Sequence, residues 1–221
     1  MASMGSVADQ VKRRYDTSGR RRAAEANRRA ILEAARELFT ARGYAATTMN
    51  GIAERAGVSL DTVYAAVGRK PAVFLELVET ALSGTDQAVP ARQREYVQAI
   101  RAEPAAARKL EIYAHAIAGI HGRMAPLLRV AQTAADPQVR GIWQDIAHRR
   151  AANMRELARD LLDTGQLRPG LGVDEIADVV WATNSPEFYC LLVEDRGWLP
   201  ERFAAWLADA WGRLLLALPP A

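Results

Sequence analysis

The chain has 221 residues, half of them hydrophobic and a quarter charged, with a net charge of +3; this excludes collagen-like, disulfide-stapled and wholly disordered classes and allows one or two globular domains. The longest late apolar run, Leu214 to Leu218, is too short to span a bilayer, and Met1 to Gln10 lacks the apolar stretch of a signal peptide. The single cysteine, Cys190, has no internal partner, so the expectation is a soluble cytoplasmic protein in which Cys190 is a small buried residue.

Residues 1–19 show no periodicity and contain Gly5, Ser6, Thr17, Ser18 and Gly19; they are expected to form a flexible arm. Basic side chains run through and past it, at Lys12, Arg13 and Arg14, then Arg20, Arg21 and Arg22. Such a run is either a solvated tail or a set of phosphate and minor-groove contacts. A first helix is expected over about 21–42, with Ile31, Leu32, Ala35, Leu38 and Phe39 on one apolar stripe. Gly43 stands where a left-handed stop is wanted, and Thr47 or Thr48 is placed to cap the next helix.

A second helix is expected over about 49–56, because Met49, Ile52, Ala53 and Ala56 share one face. Gly57 ends it, Val58 plugs the turn, and Ser59 caps a third short helix over about 59–66 with Val63 pointing inward. Two short helices split by a tight glycine turn form a helix-turn-helix. Residues 1–70 carry a charge of +6 and the remainder −3, so the basic end suits a polyanion and the rest is a different kind of body. A fourth helix is expected to open at Pro71 and run through Val73, Phe74, Leu77 and Ala81.

Beyond Ser83-Gly84 the pattern is one of long amphipathic helices. Breaks are expected at Val89-Pro90, Glu103-Pro104, His121 to Pro126 and Asp136-Pro137. A long helix should then reach about Thr164, followed by a loop from Gly165 to Gly172 and a helix over Val173 to Thr183. Ser185-Pro186-Glu187 reads as a fresh helix start, and a last helix is expected over about 200–217. The predicted fold is all-α, with a basic arm at 1–19, a three-helix head at 20–70 and a larger helical body at 71–221.

The stretch from Ile31 to Leu77 resembles the DNA-binding domain of the tetracycline-repressor (TetR) family. The resemblance is carried by Ala34-Ala35 and Leu38-Phe39, Gly43-Tyr44, Thr47-Thr48, Ile52-Ala53, Ala56-Gly57-Val58-Ser59, Thr62-Val63-Tyr64 and Lys70. It implies a dimeric transcription regulator, a repressor released from a double-stranded DNA operator by a small-molecule effector, or else an activating or ligand-independent regulator on the same head. On that reading Ser59, Leu60, Asp61 and Thr62 face base edges, with Ser59 either reading a base or only capping. Asp61 accepts from a cytosine amine, pairs with an arginine or favours the helix N-terminus. Tyr64 resembles the family's phosphate-contacting tyrosine, the other reading being a partly buried packing residue. Lys70 and Thr48 stand at helix starts suited to phosphate, and Arg20, Arg21 and Arg22 extend the basic surface. Where many relatives have an aromatic or His-Phe pair after the tyrosine, this chain has Ala65, Ala66 and Val67, so Phe39 or Phe74 must supply the missing core volume.

For the body the resemblance implies a dimer face and an effector pocket. Trp206, Ala210, Leu214 and Ala217 form a stripe suited to a helical seam, to which Trp181, Phe188, Trp198 and Trp211 would add area. Met124, Trp143, Met154, Trp181, Asn184 and Tyr189 are the candidate pocket residues, each otherwise an ordinary core residue. No metalloprotease, CxxC, P-loop or dinucleotide-glycine pattern occurs, and His115 and His121 do not share a helical face, so neither catalysis nor a cofactor or metal is expected. Glu111 and His115 read as an exposed ion pair.

Overall fold

The computed structural model describes residues 6–217, with side chains from residue 19 onward. The helices are α1 (Ser6–Ala46), α2 (Met49–Ala56), α3 (Leu60–Val67), α4 (Lys70–Ser83), α5 (Glu95–Ala102), α6 (Ala106–Thr133), α7 (Pro137–Leu162), α8 (Val173–Thr183), α9 (Pro186–Tyr189) and α10 (Pro200–Leu215), with a 3₁₀ turn at Ala91–Gln93 and a π-helical turn at Cys190–Glu194. One isolated antiparallel bridge, Leu167 with Leu216, is the extent of β pairing among the described residues. The all-α expectation holds. Contacts divide the chain into two compact units, Met1–Glu76 and Leu77–Ala221.

In the first unit α1, α2 and α3 pack on one another over Ile31, Ala35, Phe39, Ile52, Val63, Val73 and Phe74, all buried. Three rings form its centre: Phe39 stacks on Tyr44 at 5.4 Å, and Phe74 meets both edge-on at 5.8 Å. These aromatics fill the core of the unit. The ion pair of Arg55 with Glu37, with Nε donating at 2.7 Å, ties α2 to α1.

Two expectations for α1 change. The helix begins at Ser6, so an arm without periodic structure over 1–19 does not describe residues 6–19; the stretch holds no proline and one glycine, and Ala, Gln, Lys and Arg are good helix formers. Residues 1–5, and the side chains of Lys12, Arg13 and Arg14, lie outside the described residues. At Gly43 (φ 77°, ψ 169°) the helical path is interrupted as expected, but in an extended positive-φ conformation that only glycine adopts easily, rather than in a left-handed turn.

In the second unit α6 is the central helix, packing on α5, α7, α9 and α10, while α7 pairs with α8. Trp211, Phe203, Leu110, Leu127, Leu128 and Leu161 are fully buried there. The break expected from His121 to Pro126 is absent: α6 runs through Pro126. Proline removes one backbone hydrogen bond and crowds the carbonyl four residues back, at about 3 kcal/mol or more. That position is Gly122, and Met124, Ala125, Leu127 and Leu128 around the proline are all buried, so packing outweighs the cost. The break at Ser185-Pro186 is present, Ser185 Oγ accepting from the Phe188 N–H at 3.0 Å. Glu111 pairs with Arg108 at 2.5 Å rather than with His115. Among the described residues no helix is long and apolar enough to cross a membrane.

Candidate nucleic-acid interface and ligand cavity

Local chemistry defines the turn between α2 and α3. Thr48, rather than Thr47, caps α2, its Oγ1 accepting from the Gly51 N–H at 3.0 Å; Thr47 is buried and donates back to the Gly43 carbonyl at 2.9 Å. Gly57 adopts φ 70° and ψ 30° at the end of α2, the left-handed conformation that lets its N–H close the helix without a Cβ clash. Ser59 then caps α3, accepting from the Thr62 N–H at 3.1 Å, and the two hydroxyls share a further bond at 2.8 Å.

Those bonds sort the candidate contacts. Val63 and Val67 anchor α3 in the core while Asp61, Tyr64 and Ala65 are exposed and Leu60 is half-buried. Tyr64, with 45% of its surface accessible, is partly covered and still open to solvent. Ser59 and Thr62 hold each other, so their first duty is to fix the start of α3. Asp61 lies in the first turn of α3, where a carboxylate favours the helix dipole, and it has no ion pair among the described residues. Lys70 is positioned twice over: its Nζ lies 4.3 Å from the centre of the Tyr44 ring and donates to the Ala45 carbonyl at 3.4 Å. Arg20, Arg21 and Arg22 are exposed on α1, Arg21 lying 3.7 Å from Glu25.

The second unit contains a cavity of about 590 Å³, within the range of small-molecule sites. Its wall is mostly aliphatic, with Leu82, Val97, Ile100, Ile117, Ile146 and Leu157, and includes Tyr96, Tyr113, His121, Arg94, Arg149, Arg150 and Met154. Of the six residues expected to line a pocket, Met154 alone does so. Asn184 stands directly behind the wall, fully buried. Its Oδ1 accepts from Arg150 Nη1 at 2.7 Å, its Nδ2 donates to the Tyr113 hydroxyl at 2.6 Å, and its carbonyl is 2.5 Å from His121 Nε2. Met124 is core, Tyr189 packs edge-on against Phe203 at 5.1 Å, and Trp181 lies against the Arg150 guanidinium at 4.6 Å. Trp143 is half-buried on α7, away from the cavity wall.

Sequence reasoning missed Tyr113, His121 and Arg150. A signal was present: Lys109, Tyr113, Ile117 and His121 recur every four residues on α6, and all four are buried, so polar groups sit on a core-facing stripe. Burial lowers the His121 pKa to about 4, leaving the ring neutral with Nε2–H donating to the Asn184 carbonyl. Burial likewise raises the Tyr113 hydroxyl well above its ordinary range and lowers Arg150 from its own. Lys109 donates to Asp160 at 2.7 Å and to the Ile100 carbonyl at 2.7 Å.

On α10 one apolar face, with Phe203, Ala204, Leu207, Trp211 and Leu215, is buried. Trp211 therefore belongs to the core and not to the outer seam: it stacks on Tyr113 at 5.6 Å and its Nε1 donates to Thr183 Oγ1 at 2.7 Å. The flank of that face carries Trp206, Ala210 and Leu214, with Leu199 just before the helix and Ala217 just after it; Leu199 is 69% and Trp206 37% accessible. Phe188 and Trp198 flank Trp206 at 5.6 and 6.2 Å.

The family model for bacterial regulatory proteins of the tetR family matches residues 31–77, the segment from the apolar stripe of α1 to the first turns of α4. No curated protein matches the chain. Among solved structures, NalD of Pseudomonas aeruginosa, described as the secondary repressor of the MexAB-OprM multidrug efflux pump, is similar with a TM-score of 0.68 and 20% identity over 86% of this chain and 97% of that one. SmeT in complex with triclosan gives a TM-score of 0.67 and 19% identity, covering 89% and 96% of the two chains. FadR of Bacillus subtilis, a transcriptional regulator in complex with stearoyl-CoA, gives 0.66 and 16% over 82% and 96%. Residues 31–77, which hold the helix-turn-helix, thus match the model for bacterial regulatory proteins of the tetR family, and the chain shares its fold with these solved structures over more than four-fifths of its length.

Proposed function

We propose that the protein is a homodimeric transcriptional repressor that holds an operator through α3 and is released when a small molecule fills the cavity of its second unit. The observation that carries this reading is α3 itself, a short helix anchored by Val63 and Val67 and capped by Ser59, with its other face open to solvent. An exposed short helix following a tight turn is the element that enters a major groove. Support for release by a ligand comes from the mostly aliphatic cavity and from the structurally similar SmeT and FadR, each solved with a small molecule. Helix α4 begins at Lys70 and extends to Leu82 and Ser83, of which Leu82 belongs to the cavity wall. A shift of this helix on ligand binding is the proposed connection, working through a coupling of about 1–3 kcal/mol.

Two classes of DNA contact are separable by mutation. Lys70→Ala weakens binding to all sequences by a similar factor and flattens the salt dependence by about one counterion, whereas Leu60→Ala changes the ranking of operator variants. Fluorescence anisotropy on the DNA upstream of the gene, over a salt series, checks both. A Lys70→Ala protein that altered sequence preference while keeping its overall affinity would reverse these roles.

The homodimer reading rests on the flank of α10, where Trp206 and Leu214, with Leu199 just before the helix, are exposed beside the buried face and need a cover. In a two-fold pair the recognition helices lie about 34–36 Å apart, one DNA turn. Trp206→Glu yields a monomer in sedimentation experiments, with operator affinity reduced at least about 100-fold, because a central aromatic is replaced by a charge that must be desolvated. A dimer of unchanged strength in that variant would place the interface elsewhere.

A further inference from the structure

We infer that the cavity of the second unit takes an amphipathic carboxylate, an aliphatic body with one anionic head seated on Arg150; this rests on reading the cavity as the effector site. The charge inventory of the wall carries the inference. Its three carboxylates are all engaged at short range. Glu79 pairs with Arg149 at 2.5 Å, Glu156 with Arg92 at 2.5 Å and Arg101 at 3.6 Å, and Asp160 with Lys109 at 2.7 Å. Two guanidinium groups of the wall, Arg94 and Arg150, have no carboxylate within ion-pair distance among the described residues. Arg94 gives its Nε to the Val89 carbonyl at 3.1 Å.

Arg150 is the more constrained of the two. Its Nη1 donates to the Trp181 carbonyl at 3.0 Å and to Asn184 Oδ1 at 2.7 Å, and its plane lies against the Trp181 ring. Its Nε and Nη2 donate to no group among the described residues. Glu187 acts on it only at longer range. Arginine remains charged in proteins, so a half-buried guanidinium with neutral partners keeps an unbalanced charge beside an apolar space. The Nε/Nη2 edge presents two parallel N–H groups, the geometry that a carboxylate fills with two bonds. The head is also held in advance. Asn184, fixed by Tyr113 and His121, prevents Arg150 from turning away, so little ordering is required when an anion arrives. The remainder of the wall, Leu82, Val97, Ile100, Ile117 and Leu157, offers aliphatic surface for the body.

The test uses the full-length protein and three probes of one chain length, each below its micelle concentration: dodecanoate, neutral dodecanol and cationic dodecylammonium. Binding is read by calorimetry, with tryptophan emission as a second signal. Dodecanoate is expected to bind at least about tenfold more tightly than dodecanol, with dodecylammonium weakest. In Arg150→Met, which keeps an apolar stem without charge, dodecanoate loses that advantage while dodecanol binds as before. Arg150→Lys restores part of the preference, which a purely structural role for Arg150 would not produce. Equal binding of dodecanoate and dodecanol to the unaltered protein overturns the inference and leaves the effector cavity standing, as does a preference that survives in Arg150→Met. Failure of all three probes to bind removes the cavity reading, and the inference with it.

Discussion

Phe39→Ala is expected to unfold the first unit and abolish DNA binding while the thermal transition of the second unit persists. Phe39 is fully buried and touches both other rings of the head's core, stacked on Tyr44 and edge-on to Phe74. Removing a buried phenylalanine costs about 3–5 kcal/mol, from lost transfer energy and the void left behind. A domain's whole stability is about 5–15 kcal/mol, and a unit of this size falls toward the lower end. Phe39→Leu, nearer in volume, costs about 1.5 kcal/mol or less and keeps DNA binding. Circular dichroism melts beside anisotropy on an operator fragment decide the matter; normal DNA affinity in Phe39→Ala would show that the ring cluster does not govern the head.

The second large effect depends on pH. His121 is buried and neutral, with a pKa lowered from 6.5 to about 4 by desolvation. Below pH 6.5 the unfolded chain binds a proton at this residue and the folded chain does not, so unfolding gains free energy as pH falls. The penalty grows from pH 6.5 down to about pH 4, reaches about 3 kcal/mol and then levels off; above pH 6.5 His121 contributes no slope. Protonation would place an N–H on Nδ1, a buried atom with no hydrogen-bond partner, which is the structural reason for the low pKa. Urea unfolding followed by tryptophan fluorescence at a series of pH values measures the slope. In His121→Gln, whose amide offers a donor for the Asn184 carbonyl and does not titrate, the difference from the parent protein should be constant above pH 6.5 and shift by about 3 kcal/mol between pH 6.5 and about pH 4.

Legibility in the sequence depends on the kind of physics involved. Gly57, Ser59 and Pro186 act through their own backbone or a neighbour three residues away, so turn, cap and break are all visible from local order. The apolar stripe of the first helix is equally plain, because Ile31, Ala35 and Phe39 repeat with the helix period. Pro126 misleads because its local cost is real, and only the tertiary burial around Met124 and Leu128 overrides it. The start of α1 is misplaced for a related reason: an apolar stripe marks which face of a helix packs, so its absence in residues 6–19 says nothing against the helix itself. The cavity is the least legible feature. Met124 and Met154 are alike in sequence, yet Met124 is core and Met154 faces the cavity, since a void is defined by helices that arrive from distant parts of the chain. Arg150 looks like one more surface cation in an arginine-rich chain, and only Asn184, thirty-four residues away, turns it toward the cavity.

The burial of Cys190 bears on which chemical signals the protein can answer. Its thiol is pushed up to about 11 by desolvation and by the neighbouring Glu194, so at neutral pH only about one molecule in ten thousand carries the thiolate. It is that anion that attacks peroxides and electrophiles, and this is the chain's sole sulfhydryl. Oxidative stress therefore has no ready handle on the folded molecule through cysteine.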